Sequence, residues 1–174
     1  MTGAIAAVVL AAGEGSRFGG PKQRLLLPEV LARVAESPVD EIVVVSGAYE
    51  LELPENVATA TRLVHCPDWD VGPGATLRCG IAVLGADVEA AVVIMADGPR
   101  LSPEAVARVV AGWRKTGGIV AASYGGDRGH PLVVGREEWA NVPDAGLRAR
   151  PARLVACDDL GAPGDVDVPS DLPR

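Results

Sequence analysis

The sequence predicts an α/β fold built on a mostly parallel central sheet covered by helices, and three observations predict it. Two unbroken apolar runs, Ile5–Ala11 and Ala90–Ala96, have the length and composition of strands buried on both faces. Only six of the 174 residues are aromatic, so the core must be made of Val, Leu, Ile and Ala. Strand-like runs alternate with helical stretches, the pattern of βαβ units, whose crossovers gather loops at the carboxyl ends of the strands.

Ile5–Ala11 closes at Gly13 and reads as the first, central strand. Leu31–Ser37 reads as the last part of a short helix, with Pro28 tolerable in its first turn but not in its middle. Glu41–Ser46 is a second strand stopped by Gly47, Tyr49–Thr61 lacks helical periodicity, and Arg62–His65 is a short strand. Ala75–Leu84 has helical spacing, and Ala90–Ala96 is the second buried strand. Ser102, Pro103 and Glu104 supply an N-cap, a first-turn proline and a first-turn acid for a helix over Pro103–Trp113. Gly118–Ser123 is a further strand, and Pro131–Val134 a shorter one that can run antiparallel. Without an internal repeat or low-complexity linker, residues 1–174 read as a single domain.

Charge and cysteine usage exclude several functions. Twenty-three acidic residues against sixteen basic ones give a net charge of −7, so a broad basic face for nucleic acid is not expected. The amino-terminal run lacks a basic flank and ends after about ten residues in glycines, which fits neither a secretory signal nor a membrane span. Cys66, Cys79 and Cys157 form no Cys-x-x-Cys pair and are odd in number; they read as small buried hydrophobes in a reducing, cytoplasmic compartment.

The chemistry concentrates where the first strand empties into LAAGEGSRFGGPK, Leu10 to Lys22. Its glycines free the backbone to approach a ligand and to aim several N–H groups at phosphate. Arg17 and Lys22 add two cations that a purely structural turn would not need. Pro21 before Lys22 and Gln23 after it break the Walker pattern, and Phe18 breaks the dinucleotide fingerprint. Lys22 is one of two lysines beside fourteen arginines, and its compact ammonium is a point charge rather than a fork. Asp97, directly after the second buried strand, reads either as a turn cap in Asp-Gly-Pro or as a ligand for a hard cation; opposite a phosphate loop the second reading gains. Asp165 and Asp167 share one face of an extended segment and could enter the same site, or belong to a frayed acidic tail.

Taken together these segments resemble the MobA-like NTP transferase family, and within it the molybdenum-cofactor cytidylyltransferases. LAAGEGSRFGGPK resembles the family opening LAAGxSxRxGxPK, with Gly15 in the serine position. Cys66 to Gly80 is similar to NPxWxxGxxxSLxxG, Asp97-Gly98-Pro99 to DQP, and Gly129-His130-Pro131 to GHP. Asp144 to Arg148 is similar to GDxGxR without its first glycine, and Asp165 to Leu172 to DxDTPEDL. The resemblance implies a Rossmann-like three-layer enzyme of the nucleotide-diphospho-sugar transferase type. It would transfer a nucleotidyl group from a nucleoside triphosphate, with CTP favoured, to a phosphorylated acceptor such as molybdopterin, releasing pyrophosphate with Mg²⁺. A molybdoenzyme is the protein partner it suggests.

On the same footing, Leu10, Ala11, Ala12, Gly13, Gly15 and Ser16 with Gly72, Gly74 and Thr76 would bind the nucleotide. Arg17 and Lys22 would neutralise developing charge, and Asp97 with Asp165 or Asp167 would hold Mg²⁺. Gly129, His130, Pro131 and Arg148 would face the acceptor. His130 is not needed as a base, because a phosphate acceptor is already ionised. The chain departs from the pattern in short connections after Lys22 and Gly47, and in Gly98, Cys66 and Pro143, more on the acceptor and base sides than on the triphosphate side. Two alternatives stand beside this reading: another nucleotidyltransferase of the family, phospholactate guanylyltransferase-like or acting on a sugar phosphate, and a non-catalytic NTP-binding module.

Overall fold

The computed structural model describes residues 2–58 and 60–172. Its centre is one seven-stranded sheet in the order β3-β2-β1-β4-β6-β5-β7. The strands are β1 (Ala4–Ala11), β2 (Glu41–Ser46), β3 (Thr61–His65), β4 (Val88–Met95), β5 (Ile119–Tyr124), β6 (Asp127–Gly135) and β7 (Arg153–Ala156). Pairing is parallel along β3, β2, β1 and β4 and between β5 and β7, whereas β6 lies antiparallel to both β4 and β5.

Three helices make the outer layers: α1 (Lys22–Ala35), α2 (Pro73–Ile81) and α3 (Pro103–Thr116). Strand alternation decides which side each serves. Ala7, Val9 and Ala11 of β1 join Leu27, Val30 and Val34 of α1 and Val106 and Val109 of α3 in one core. Val8 points the other way, to Leu77 of α2 and to Val142 and Leu147 of the following turn. The expected three-layer α/β architecture is therefore present.

The chain runs from β1 outward to β2 and β3, then returns to place β4 on the other side of β1. That reversal opens a crevice at the carboxyl ends of β1 and β4, the switch point at which such sheets bind ligands. Leu10 to Lys22 leaves β1 there, and Asp97 follows β4 there.

Four expectations need correction. Pro28 lies inside α1 rather than in its first turn, because the helix begins at Lys22. A mid-helix proline costs about 3 kcal/mol, and the burial of Leu26, Leu27, Val30, Leu31 and Val34 on the sheet offsets it. Strand β6 extends back to Asp127, since a hairpin with β5 pairs Tyr124 with Asp127. β7 carried no sequence signal: its four residues are mostly exposed, and it forms by edge pairing with β5. Finally, Cys66 and Cys79 are joined by a disulfide, whereas Cys157 is a free, buried thiol as expected. Seating α2 against the end of β3 brings the two Cα atoms to 5.7 Å. The reading of all three as unlinked hydrophobes fails for that pair, and with it the argument for a reducing compartment. No helix among the described residues is long and apolar enough to cross a membrane.

The disulfide spans 13 residues, a loop whose closure removes about 3 kcal/mol of unfolded-chain freedom. Cys79→Ser is expected to lower Tm by roughly 6–12 °C in thermal unfolding without reductant. A wild-type Tm unchanged by a strong dithiol would show the pair to be unlinked.

Candidate active site

The crevice holds a cavity of about 410 Å³ whose wall is the loop after β1. Leu10, Ala12, Gly13, Gly15, Ser16, Arg17 and Lys22 line it, with Gly72 and Thr76 at the start of α2 and Asp97 and Asp167 opposite. Most of the predicted nucleotide contacts thus converge. Ala11 does not: it is buried within β1, paired with Ser46 of β2. Gly74 lies behind the wall, where a Cβ would stand 1.6 Å from the Pro143 carbonyl oxygen. It is glycine so that the Pro143–Asp144 turn can dock, and its N–H donates to the Asp144 carbonyl at 2.9 Å.

The loop is wound around Gly15. Its carbonyl accepts from the N–H groups of Phe18, Gly19 and Gly20 at 3.0 to 3.3 Å. With φ at +61° and a would-be Cβ 2.4 Å from the Gly20 carbonyl oxygen, this position admits only glycine. Winding the loop this way leaves the N–H groups of Gly13, Glu14, Gly15, Ser16 and Arg17 without a hydrogen-bond partner among the described residues. Five successive unspent amides beside a cavity make a row of donors, a nest suited to an anion.

Behind the nest, the first turn of α1 buries Lys22 and Gln23 at 7% and 4% exposure. Gln23 Nε2 donates to the Gly13 carbonyl at 3.1 Å and so ties the loop to the helix. Lys22 Nζ donates to Asp97 Oδ2 at 3.2 Å and to the Val166 carbonyl at 2.6 Å. Val166 in turn donates its N–H to the Asp97 carbonyl at 2.9 Å. Residues 165–167 are therefore docked on the site and not a frayed tail; the Val166 side chain is 2% exposed.

The three predicted metal carboxylates do not behave alike. Asp165 sits beside Asp97, and partial burial together with that neighbour pushes its carboxyl above the ordinary carboxylate range. Adjacent carboxylates such as Asp97 and Asp165 are a donor set that suits a hard divalent cation. Asp167 turns instead to Arg17, whose Nη1 donates to it at 2.7 Å in a largely exposed ion pair. No group of three potential ligands gathers among the described residues.

Two cavities adjoin the first, one of about 810 Å³ and one of about 550 Å³, and both are lined by Met95, Arg128, Gly129 and His130. Arg148 lies on the larger one as an exposed side chain. Asp97 and Asp165 line the smaller one, which links it to the phosphate loop. Pro131 lines neither; the peptide bond before it is cis, and the His130 carbonyl accepts from the Tyr124 hydroxyl at 2.8 Å. Burial first, and the Arg128 charge second, push His130 down to about 4, so the imidazole is neutral near pH 7. Sequence reading passed over Arg128 and Gln23, although each stands next to a residue it singled out. A larger groove of about 1040 Å³ lies beyond β2 and β3. Glu50, Glu52 and Glu55 on its wall suit it poorly to a triphosphate.

Comparison with known proteins identifies the family. The model of the MobA-like NTP transferase domain matches residues 7–159, and the chain belongs to that family. It is 31% identical over 132 residues to the Bifunctional enzyme IspD/IspF of Dinoroseobacter shibae, a match covering 70% of this chain and 32% of that one. The chain thus spans about a third of the length of that curated relative. Among solved structures it is similar to a homologue of Mycobacterium tuberculosis Rv0371c from Mycobacterium sp. strain JC1, with a TM-score of 0.78 and 25% identity over 96% of this chain and 92% of the other. The fold also matches a 4-diphosphocytidyl-2C-methyl-D-erythritol synthase from Anaerococcus prevotii, with a TM-score of 0.68 and 15% identity over 98% of this chain and 95% of that one.

His130 gives a pH test. Its folded value of about 4 lies below the ordinary 6.5, so between these limits the unfolded chain binds a proton that the folded chain refuses. Stability therefore falls as pH drops through that window and levels off below it. His130→Asn is expected to flatten this part of the urea-midpoint profile; an unchanged slope would show the imidazole to be freely protonated.

Proposed function

We propose that this chain is a nucleotidyltransferase that moves a nucleoside monophosphate from a nucleoside triphosphate, CTP by preference, to a phosphorylated small-molecule acceptor of the molybdopterin kind. The row of unspent amides from Gly13 to Arg17, flanked by the Arg17 and Lys22 cations and facing Asp97, carries this reading. It supplies donors and positive charge for a triphosphate in a fold whose ligands bind at this crevice.

In the proposed step, a terminal oxygen of the acceptor phosphate attacks the α-phosphorus in line and forms a new P–O–P bridge. The bond from the α-phosphorus to the oxygen bridging it to the β-phosphate breaks, and pyrophosphate leaves with that electron pair. The attacking oxygen is already ionised, so no residue has to remove a proton, in keeping with a neutral His130 in the wall. Catalysis then reduces to alignment and charge stabilisation. The amides and Arg17 hold the β- and γ-phosphates, while Lys22 stabilises charge developing at the α-phosphate. Asp97 and Asp165 would hold Mg²⁺, which supplies a further counter-charge to the phosphate oxygens; Asp167 is engaged by Arg17 through Oδ2.

The acceptor side discriminates between substrate classes. Leu77, Val93, Met95, Leu132 and Leu147 line the larger adjoining cavity, favouring a phosphate ester with a ring or apolar body. A second reading, favoured by the 31% identity to the Bifunctional enzyme IspD/IspF, keeps the reaction and changes the acceptor.

Pyrophosphate release, measured with each of the four triphosphates against phosphorylated pterins, polyols and sugars, tests these readings. Turnover is expected with CTP and the pterin phosphate. Lys22→Met and Asp97→Asn should each lower kcat by roughly 10²-fold. Tight triphosphate binding with no turnover on any acceptor would point to a non-catalytic module, and full activity in Asp97→Asn would overturn the metal assignment.

A further inference from the structure

The arginines that brace this molecule mostly do so with a counter-ion. Arg17 pairs with Asp167, Arg78 with Asp144, Arg108 with Asp159 and Arg150 with Glu138. Arg24, Arg128 and Arg136 donate to backbone carbonyls alone, and of these three only Arg128, near the start of β6, is half-buried. Its Nη1 donates to the Arg150 carbonyl at 2.5 Å and its Nη2 to the Leu147 carbonyl at 2.9 Å. Both partners are neutral, and no carboxylate among the described residues lies within ion-pair distance of it.

The guanidinium is also half-buried, on the wall shared by the two cavities that adjoin the phosphate loop. Desolvation pulls its proton affinity down, the expected effect on a cation lacking an anion. The neighbouring imidazole of His130 remains neutral and supplies no compensating charge. Asp127 reaches the larger cavity as an exposed side chain, and Asp97 and Asp165 stand across the smaller one.

We propose that Arg128 binds the phosphate of the acceptor and aims it at the triphosphate. This rests on the nucleotidyltransferase reading for its purpose but not for its chemistry. A guanidinium has five N–H donors; two are spent on the Leu147 and Arg150 carbonyls, and the remainder suffice for a bidentate grip on two phosphate oxygens. The carbonyl anchors fix the plane of the fork, which lowers the cost of ordering it on binding. The third terminal oxygen is left to face Asp97, Asp165 and the phosphate loop across the smaller cavity. Arg148, exposed at the rim, is demoted to steering the incoming anion. The ligand class is a phosphomonoester whose body fills the apolar part of the larger cavity.

A strut that merely held the Leu147–Arg150 turn would give a different signature. That turn continues from the Pro143–Asp144 segment, which docks on Gly74 beside the nucleotide cavity. Loss of a strut should therefore disturb triphosphate binding and Tm together with acceptor binding. The experiment uses the full chain and phenyl phosphate as probe, with benzyl alcohol as its uncharged counterpart, titrated calorimetrically into wild type, Arg128→Gln, Arg128→Lys and Arg148→Gln. A non-hydrolysable CTP analogue with Mg²⁺ is titrated in parallel.

The expected result is phenyl phosphate binding that weakens at least tenfold in Arg128→Gln, less in Arg128→Lys and about twofold in Arg148→Gln. Benzyl alcohol binding, CTP-analogue affinity and Tm should stay near wild type. No phosphate binding by wild type, equal binding by Arg128→Gln, or a joint fall of Tm and CTP-analogue affinity in both Arg128 variants would overturn the proposal. Should the CTP analogue fail to bind while phenyl phosphate binds through Arg128, the anion site stands and the nucleotidyltransferase reading falls.

Discussion

The buried ammonium of Lys22 is the contact on which the rest of the site depends. A charge at 7% exposure is costly unless paired and hydrogen-bonded, and here a carboxylate and a backbone carbonyl meet it. Those two partners come from residues 97 and 166, so one side chain joins the loop after β1, the end of β4 and the last extended segment of the chain. That pairing and the Val166 N–H bond to the Asp97 carbonyl together hold Asp165 beside Asp97. The same contact explains why α1 starts at Lys22 and runs on through Pro28: the helix has to deliver the lysine to the mouth of the sheet.

An acidic chain can host phosphate chemistry because charge is placed locally. Arg17 and Lys22 lie on the nest, and each is held by an aspartate. In the proposed reaction the partners exchange: the triphosphate takes the cations, and the divalent ion takes the carboxylates. That exchange gives Arg17 and Lys22 phosphate in place of carboxylate and gives Asp97 and Asp165 the cation, which limits the cost of binding two highly charged species in a partly desolvated crevice. Arg128 is a half-buried cation still without an anion, and it faces the cavity where the second phosphorylated substrate would lie.

The sequence made the sheet legible wherever burial on both faces left an unbroken apolar run, as in β1, β2 and β4. It failed at β7, whose exposed residues follow no such pattern and form a strand only because β5 offers a free edge. Leu10 to Lys22 could be read as an anion loop because its glycines and cations are contiguous. Gly74 was misread as a ligand contact because a close approach between α2 and the Pro143–Asp144 turn has no local signature. Cys66 and Cys79 lie 13 residues apart, and only the docking of α2 on the sheet brings them together. Arg128 stayed invisible for a related reason: an arginine lacking a counter-ion is defined by what three dimensions leave out of its surroundings.

The most direct measurement is a crystal structure with Mg²⁺ and the α,β-methylene analogue of CTP. The exchange of partners predicts phosphate oxygens within hydrogen-bond distance of the Gly13–Arg17 amides, Lys22 Nζ moved from Asp97 onto phosphate, and the cation on Asp97 and Asp165. Nucleotide density in the groove beside Glu50 and Glu52, with Lys22 still on Asp97, would contradict it.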